Sequence, residues 1–183
     1  MSIDEGGSDG NNKEGEGGPS NAGTLHGRWI YADEGADEIH RQIREMLSES
    51  EEEIAEEWAI HDYDGFGNVQ LTEYEDVSRV AELAALIAEH GGLFASLAAH
   101  FGGTSGIEDA QRYMEEGYCG AFDSLEEYAE QFVDECYSSE IEKLPEFIRY
   151  HIDYQGIARD LELNGDVFTI EHDHRVHVFC GNV

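Results

Sequence analysis

An extreme surplus of negative charge limits what this chain can fold into. Its 183 residues include 42 Asp and Glu but only 10 Lys and Arg, so the formal net charge is -32. Self-repulsion of this size opposes a compact globule, and we therefore expect an elongated or thin body on which the charges are spread out. Because 40% of the residues are hydrophobic, the chain can still bury a core and is not a disordered acidic tail.

The charge also restricts the partners that the protein can have. DNA and anionic membranes are repelled, so the sequence predicts neither direct nucleic-acid binding nor a membrane partner. A strongly cationic protein surface, calcium ions or a saline environment would suit such a surface. A halophilic protein is therefore an alternative interpretation, and it predicts unfolding at low salt.

Cysteine usage and hydropathy bear on the compartment. Cys119, Cys136 and Cys180 are an odd number of cysteines without a CxxC pair, which favours a reducing compartment and argues against a zinc site. No apolar run approaches the length of a membrane span, and no signal peptide is recognisable. We predict a cytoplasmic protein that needs no cofactor.

The most distinctive element is an acidic amphipathic helix from Asp123 to Glu135. Ser124 and Glu127 form a capping box that marks its start. Its predicted buried stripe comprises Leu125, Tyr128, Ala129, Phe132, Val133 and Cys136. Its other face carries Glu126, Glu127, Glu130 and Asp134. No Lys or Arg lies between these acids, although like charges four residues apart repel each other.

Patterns along the chain predict an α+β fold in which two small α+β units flank a helical middle unit. Residues 1–22 form a Gly-rich acidic stretch that we interpret as a flexible tail. Residues 23–73 are the first α+β unit, residues 74–116 are the helical unit, and residues 117–183 are the second α+β unit, with the acidic helix and a β-hairpin.

Local signals within the first two units predict individual elements. In the first unit, Leu25–Tyr31 and Trp58–Tyr63 have the pattern of strands, and a helix from Asp33 to Leu47 directs Ile39, Ile43 and Met46 inward. In the helical unit, a capping box of Thr72 and Glu75 predicts a helix from about Tyr74 to Glu89. A second helix follows from Leu93 to Phe101, and Ser105 with Glu108 predicts a third that runs through Met114.

The last unit is predicted to end with a helix and a hairpin. Asp153 to Leu163 has a helical pattern, which Asn164-Gly165 terminates. Val167–Ile170 and Val176–Phe179 alternate with a period of two residues around Asp173-His174, which is typical of two strands joined by a tight turn.

Two stretches resemble metal sites in part. Asp62, Asp64, Gly67, Val69 and Glu73 match positions 1, 3, 6, 8 and 12 of an EF-hand loop, but Phe66 stands where an oxygen ligand is needed. An acidic calcium-binding protein that uses Asp62, Asp64 and Glu73 is therefore the alternative function. The hairpin residues His172, Asp173, His174 and His177 are either a second metal site or an exposed turn. No nucleophile, phosphate loop or metal motif indicates an enzyme.

Several segments together resemble the antirestriction protein ArdA family. They are Ala22–Ile30, Glu57–Tyr63, Leu71–Glu75, Asp123–Glu135, and Ile152–Asp166 with the Val-Phe-Thr-Ile that follows. The resemblance extends over roughly residues 22 to 180, in order and at compatible spacing. It implies an elongated, three-part, acidic homodimer that mimics bent B-form DNA. Such a protein occupies the DNA-binding groove of Type I restriction-modification enzymes, in their methyltransferase core, and protects incoming mobile DNA.

The resemblance also bears on particular residues. Asp123–Glu135 matches the region called the antirestriction motif in that family. The family opens with an apolar strand before the segment that matches Ala22, whereas this chain has its Gly-rich acidic stretch there. We therefore expect a first sheet that lacks its edge strand, or one in which Leu25–Tyr31 serves alone.

The charge of the chain favours mimicry of DNA independently of the family resemblance. Proteins that bind DNA without sequence preference neutralise phosphates with Lys and Arg, and suitably spaced carboxylates can engage the same cations. The acidic residues that we expect to bind the partner are Glu126, Glu127, Glu130, Asp134, Asp37, Glu38, Glu51, Glu52, Glu53, Glu73, Glu75 and Asp76.

Overall fold

One sheet of this protein is built from strands near the start of the chain and the other from strands near its end. The computed structural model describes residues 1–5, 27–49 and 58–183. The described strands are β1 Ser2–Glu5, β2 Gly27–Trp29, β3 Trp58–Asp62, β4 Tyr118–Phe122, β5 Val167–His172 and β6 Arg175–Cys180. The described helices are α1 Ala36–Ser48, α2 Val77–His90, α3 Gly92–His100, α4 Ile107–Arg112, α5 Leu125–Ile141, α6 Glu146–Arg149 and α7 Tyr154–Leu163. The predicted α+β class is confirmed.

The first sheet has the order β2-β1-β3, with both pairings antiparallel. Ser2 is paired with Trp29 on one side, and Ile3 with Ile60 on the other. The expectation of a tail that supplies no first strand is therefore wrong for residues 2–5, which form the central strand of this sheet. Residues 6–22 of the predicted tail lie outside the described residues. Strands β2 and β3 provide hydrogen-bond partners for the backbone of this short segment. These partners are distant in sequence, so the local residue pattern does not indicate the strand.

Helix α1 confirms the predicted helix of the first unit. Ile39, Ile43 and Met46 are buried, as their spacing predicts. On the exposed side Arg41 forms ion pairs with Glu38 and Glu45, one helical turn away in either direction. The inward face and the charged face of this helix thus follow from sequence spacing alone.

Helix α2 starts later than the capping pattern predicts. The predicted start near Tyr74 is wrong, because Asp76 is the N-cap and its carboxylate accepts a hydrogen bond from the Ser78 N–H at 2.8 Å. Thr72 and Glu75 do hydrogen-bond to each other, at 2.9 Å, but in the turn before the helix. The helix ends at Gly91, where φ is +80°, a conformation that glycine adopts without steric cost.

The remaining middle helices occur where they are expected, with one change in capping. Ser105 does not cap α4, because its hydroxyl donates to the Gly102 carbonyl at 3.0 Å. The chain continues from α4 through a π-helical turn, Tyr113–Gly117, into β4. Sequence reasoning did not identify β4, since its five residues show no clear alternation.

The second sheet has the order β4-β6-β5, with both pairings antiparallel. The predicted hairpin is confirmed: Phe168 is paired with Phe179, and Asp173 and His174 form the turn with φ of +48° and +61°. Two successive positive φ angles are typical of a type I′ turn, whose twist matches that of the strands.

One buried cluster joins residues from all three predicted units. It includes Ile39 and Met46 of α1, Leu83 and Phe94 of the middle helices, and Phe179 of β6. Between α3 and β5, the His100 and Phe168 rings stack at 4.9 Å. The unit boundaries after residues 73 and 116 remain predictions, as does elongation, but the apolar interior is continuous across them.

Candidate functional site

Helix α5 is held in place by its cap and by the second sheet. The Ser124 hydroxyl accepts from the Glu127 N–H at 3.2 Å, and the Glu127 carboxylate accepts from the Asp123 N–H at 2.6 Å. Ala129 and Val133 are buried, and the Tyr128 ring packs edge-on against Phe122 of β4 at 5.3 Å. Ser124 therefore caps α5 as predicted, while the return hydrogen bond of Glu127 goes to Asp123, the residue before the N-cap. The burial of Ala129 and Val133 leaves the opposite face of the helix to solvent.

Three carboxylates one helical turn apart define what we call the acidic ladder: Glu126, Glu130 and Asp134. All three are exposed. Within residues 1–5, 27–49 and 58–183, no cationic group lies within 4.0 Å of them. No ion pair within the described chain therefore offsets the charge of the ladder, although an i,i+4 arrangement of like charges costs stability.

The predicted buried stripe of α5 ends before Cys136. That residue is exposed, so its assignment to the stripe is wrong. The next residue, Tyr137, leaves helical geometry with φ of -129° and ψ of 15°. The buried stripe of α5 thus ends at Val133, one turn before the kink at Tyr137.

Asp123, at the start of the acidic segment, is partly neutralised by the hairpin. Its carboxylate lies 3.3 Å from the Arg175 guanidinium, which also donates to the Ala121 carbonyl at 2.7 Å. This contact ties the N-terminal end of α5 to β6. Sequence reasoning missed it, because the two charged residues are 52 positions apart.

The acids of α1 differ from each other in their contacts. Asp37 is exposed, in the first turn of α1. Glu38 accepts hydrogen bonds from Arg41 and Gln42, which lower its pKa to about 2. Glu51, Glu52 and Glu53 lie outside the described residues. Of the described pair, Asp37 is therefore the more available to a partner.

The acids that precede α2 are mostly engaged within the fold. Glu73 has an exposed side chain, and its backbone carbonyl accepts from the Ile60 N–H at 2.9 Å. Asp76 caps α2. Glu75 is half-buried and accepts from the Thr104 hydroxyl at 2.6 Å and from Thr72. Burial by itself raises the pKa of Glu75, but the hydrogen bonds from Thr104 and Thr72 outweigh it and lower that pKa overall.

Replacing Thr104 with Val is expected to lower the free energy of unfolding by about 1–2 kcal/mol at pH 7. The change keeps the shape of the buried side chain but removes a donor to Glu75. A lowered pKa means that this carboxylate stabilises the fold fully above its ordinary value of 4.5, and that the contribution is lost as the pH falls through the lower folded-state value. Urea unfolding as a function of pH measures both effects.

Thr169→Val is the matched control, since the Thr169 hydroxyl also donates to a carboxylate, that of the exposed Glu162, at 3.1 Å. We expect a smaller effect from it. A Thr104→Val penalty that stays constant from pH 7 to pH 3 would contradict a contribution from the charged form of Glu75.

The EF-hand interpretation of Asp62, Asp64 and Glu73 is not supported. A strand, β3, precedes the loop where an EF-hand has a helix. Phe66 and Val69 are buried in the core. Their apolar side chains therefore anchor the loop and do not face a bound ion. Nowhere among the described residues do three His, Cys, Asp or Glu side chains come together as a metal site.

The hairpin histidines make contacts with the protein instead. The His177 Nδ1 lies 2.9 Å from the Tyr118 hydroxyl, and the His172 Nε2 lies 3.5 Å from an Asp173 oxygen. Burial, and then the neighbouring His172, lower the pKa of His177. The lowered pKa favours the neutral form of the His177 ring. The contact of this ring with Tyr118 links β4 to β6.

None of the helices in the described parts of the chain is both long and apolar enough to cross a bilayer.

Comparison with protein families gives a match over most of the chain. The profile of the family described as antirestriction protein (ArdA) matches residues 18–176. The matched region includes α5 with its acidic ladder, as well as β5. A search of curated proteins found no match to this chain.

Proposed function

Because this chain belongs to the ArdA family of antirestriction proteins, we propose that it inhibits Type I restriction-modification enzymes by occupying the DNA-binding groove of their methyltransferase core. Membership of the family implies antirestriction directed at Type I enzymes. Family members are inhibitors and not enzymes. The finer statement, that the protein takes the place of DNA in the groove, is our proposal and rests on the charge of its surface.

The acidic ladder is the observation that carries this proposal. A groove that binds DNA neutralises phosphates with Lys and Arg. Glu126, Glu130 and Asp134 present carboxylates in steps of about 6 Å along one face of α5, and no cation of the described chain engages them. Phosphate contacts position a protein without reading sequence, so an inhibitor of this kind tolerates changes in the recognition sequence of its target.

The same reasoning ranks the other acids. Asp37 and Glu73 are exposed and extend the proposed surface. Glu38, Glu75 and Asp76 have partners within the fold, so they contribute mainly to the negative electrostatic potential of the whole protein. Glu127 combines exposure with a role in the cap of α5. We further propose that the protein acts as a homodimer, which doubles the charge presented to the groove.

Competition tests the proposal directly. The protein is titrated into a Type I methyltransferase core bound to labelled duplex, at two salt concentrations. We expect displacement near stoichiometry that weakens as salt rises, since charge complementarity drives association. No displacement at either salt concentration would refute occupation of the groove.

A single neutralisation on the ladder is expected to have little effect. Glu130→Gln should weaken displacement by a factor of about two, because an exposed ion pair contributes little by itself. The competition titration gives the ratio of midpoints. Complete loss of inhibition by this one change would indicate a local hot spot and contradict a distributed surface.

A further inference from the structure

A cleft of about 640 Å³ opens on the side of the first sheet, between β2, the turn at residues 64–66 and the second half of α2. Its floor is apolar and is formed by Ile30, Ala32, Phe66, Ala84 and Ile87. None of the acids that we assign to the DNA-like surface lines it. A role of the cleft would therefore differ from the mimicry of phosphates by exposed acids.

Two aromatic residues at the cleft are unusually exposed. Trp29 is 58% exposed and Tyr31 is 75% exposed, and both contribute to the lining. Large aromatic side chains beside a concave apolar surface are typical of binding sites, because they bury much area at a small cost in conformational entropy. Their ring faces also attract cations.

Two carboxylates complete the cleft. Asp33 and Asp64 line it, and in the described part of the chain no cationic group lies within 4.0 Å of either. Asp64 is held in its turn by the Gly65 N–H, which donates to it at 2.8 Å. The nearby amino group of Met1 donates to the Ile30 carbonyl at 2.8 Å. An apolar floor, aromatic side chains and carboxylates together suit a side chain with an aliphatic stem and a cationic head.

We propose that this cleft binds a basic, partly apolar segment of the restriction enzyme, with an Arg or Lys side chain seated between Trp29, Tyr31 and the carboxylates of Asp33 and Asp64. The aliphatic stem of such a residue packs on apolar surface while its head stays near charge and water. This inference rests on the proposed function and adds to it an apolar cleft, a feature that the phosphate backbone of DNA does not offer. It gives the inhibitor an anchor whose strength does not depend on phosphate-like charge alone.

Replacing the exposed aromatic residues tests binding without disturbing stability, since these side chains are not part of the core. In the competition titration, Trp29→Ala with Tyr31→Ala should raise the midpoint about fivefold. The salt dependence should stay that of the unmodified protein, because no charge is removed. Tyr150→Ala is the matched control, at 77% exposure, and should leave the midpoint unchanged. Equal effects of the double variant and of Tyr150→Ala would overturn the proposal.

The carboxylates are tested with a control of equal charge. Asp33→Asn with Asp64→Asn should weaken displacement more than Glu89→Gln with Glu116→Gln, although each pair removes two negative charges. Glu89 and Glu116 are exposed and do not line the cleft. Equal loss in the two double variants would mean that only net charge matters, and that the cleft has no role.

A direct binding measurement separates this inference from the proposed function. The probe is a short peptide of alternating Leu and Arg, compared with the same peptide in which uncharged citrulline replaces Arg. In an NMR titration of the full chain, the indole N–H signal of Trp29 should shift with the Arg peptide only, while that of Trp58 stays in place. If this shift occurs although the protein fails to displace DNA, the proposed binding of a cationic side chain in the cleft would be supported, and the proposed occupation of the DNA-binding groove would be refuted.

Other outcomes of that titration would overturn the cleft assignment. No shift of the Trp29 signal, or equal shifts with both peptides, would rule out recognition of a cation there. A Trp29 signal that moves with protein concentration in the absence of peptide would indicate that a second copy of this chain occupies the cleft.

Discussion

Replacing Phe179 with Ala is expected to lower the free energy of unfolding by about 3–5 kcal/mol. Phe179 is fully buried, and its ring stacks on Phe168 with centroids 5.2 Å apart. It belongs to the cluster that also contains Ile39 of α1 and Phe94 of α3. Because these residues share one interior, the penalty should appear in a single urea transition, whether the first or the second sheet is monitored.

Phe147→Ala is the control for this change. Phe147 is 71% exposed, so its truncation should change stability by less than about 0.5 kcal/mol. Two separate transitions in Phe179→Ala, with the first sheet unaffected, would contradict a shared core. They would show instead that the predicted units fold independently.

Neutralising the whole acidic ladder is expected to weaken inhibition about eightfold. The variant combines Glu126→Gln, Glu130→Gln and Asp134→Asn, and each change should contribute a factor of about two. The salt dependence of displacement should also become shallower, because fewer cations of the groove are engaged. Midpoints measured at several salt concentrations give both quantities.

The same variant should be slightly more stable than the unmodified protein, since it relieves repulsion between like charges one turn apart. Opposite signs for stability and inhibition would identify the ladder as a surface kept for binding. The control is Glu89→Gln with Glu115→Gln and Glu116→Gln, which removes the same charge from exposed acids outside α5. An equal loss of inhibition in this control would show that position does not matter.

Local signals predicted elements well where short-range interactions decide the structure. The inward spacing of Ile39, Ile43 and Met46 predicts α1, and Ser124 with Glu127 predicts the start of α5. The Asp173-His174 turn predicts the hairpin. In each case the deciding contacts lie within a few residues, so the pattern contains the necessary information.

Local signals were less reliable where the same residue pattern is compatible with two different structures. Thr72 and Glu75 form the expected hydrogen bond, but Asp76 caps the helix instead. The EF-hand-like spacing from Asp62 to Glu73 arises around Phe66 and Val69, which are buried in the core. A spacing pattern alone does not distinguish ligands that converge on an ion from acids on a turn that is anchored by apolar residues.

The charge, the helical periodicity, the hairpin and the acidic face of α5 follow from the amino-acid sequence, because they depend on composition and on neighbours along the chain. The three-dimensional fold was needed to identify residues 2–5 as the central strand of a sheet, since their backbone partners are distant in sequence. It also decided which acids are engaged within the fold: Glu75 by Thr104, 29 residues away, and Asp123 by Arg175. Burial and pairing between distant residues depend on packing in three dimensions, which local propensity does not encode.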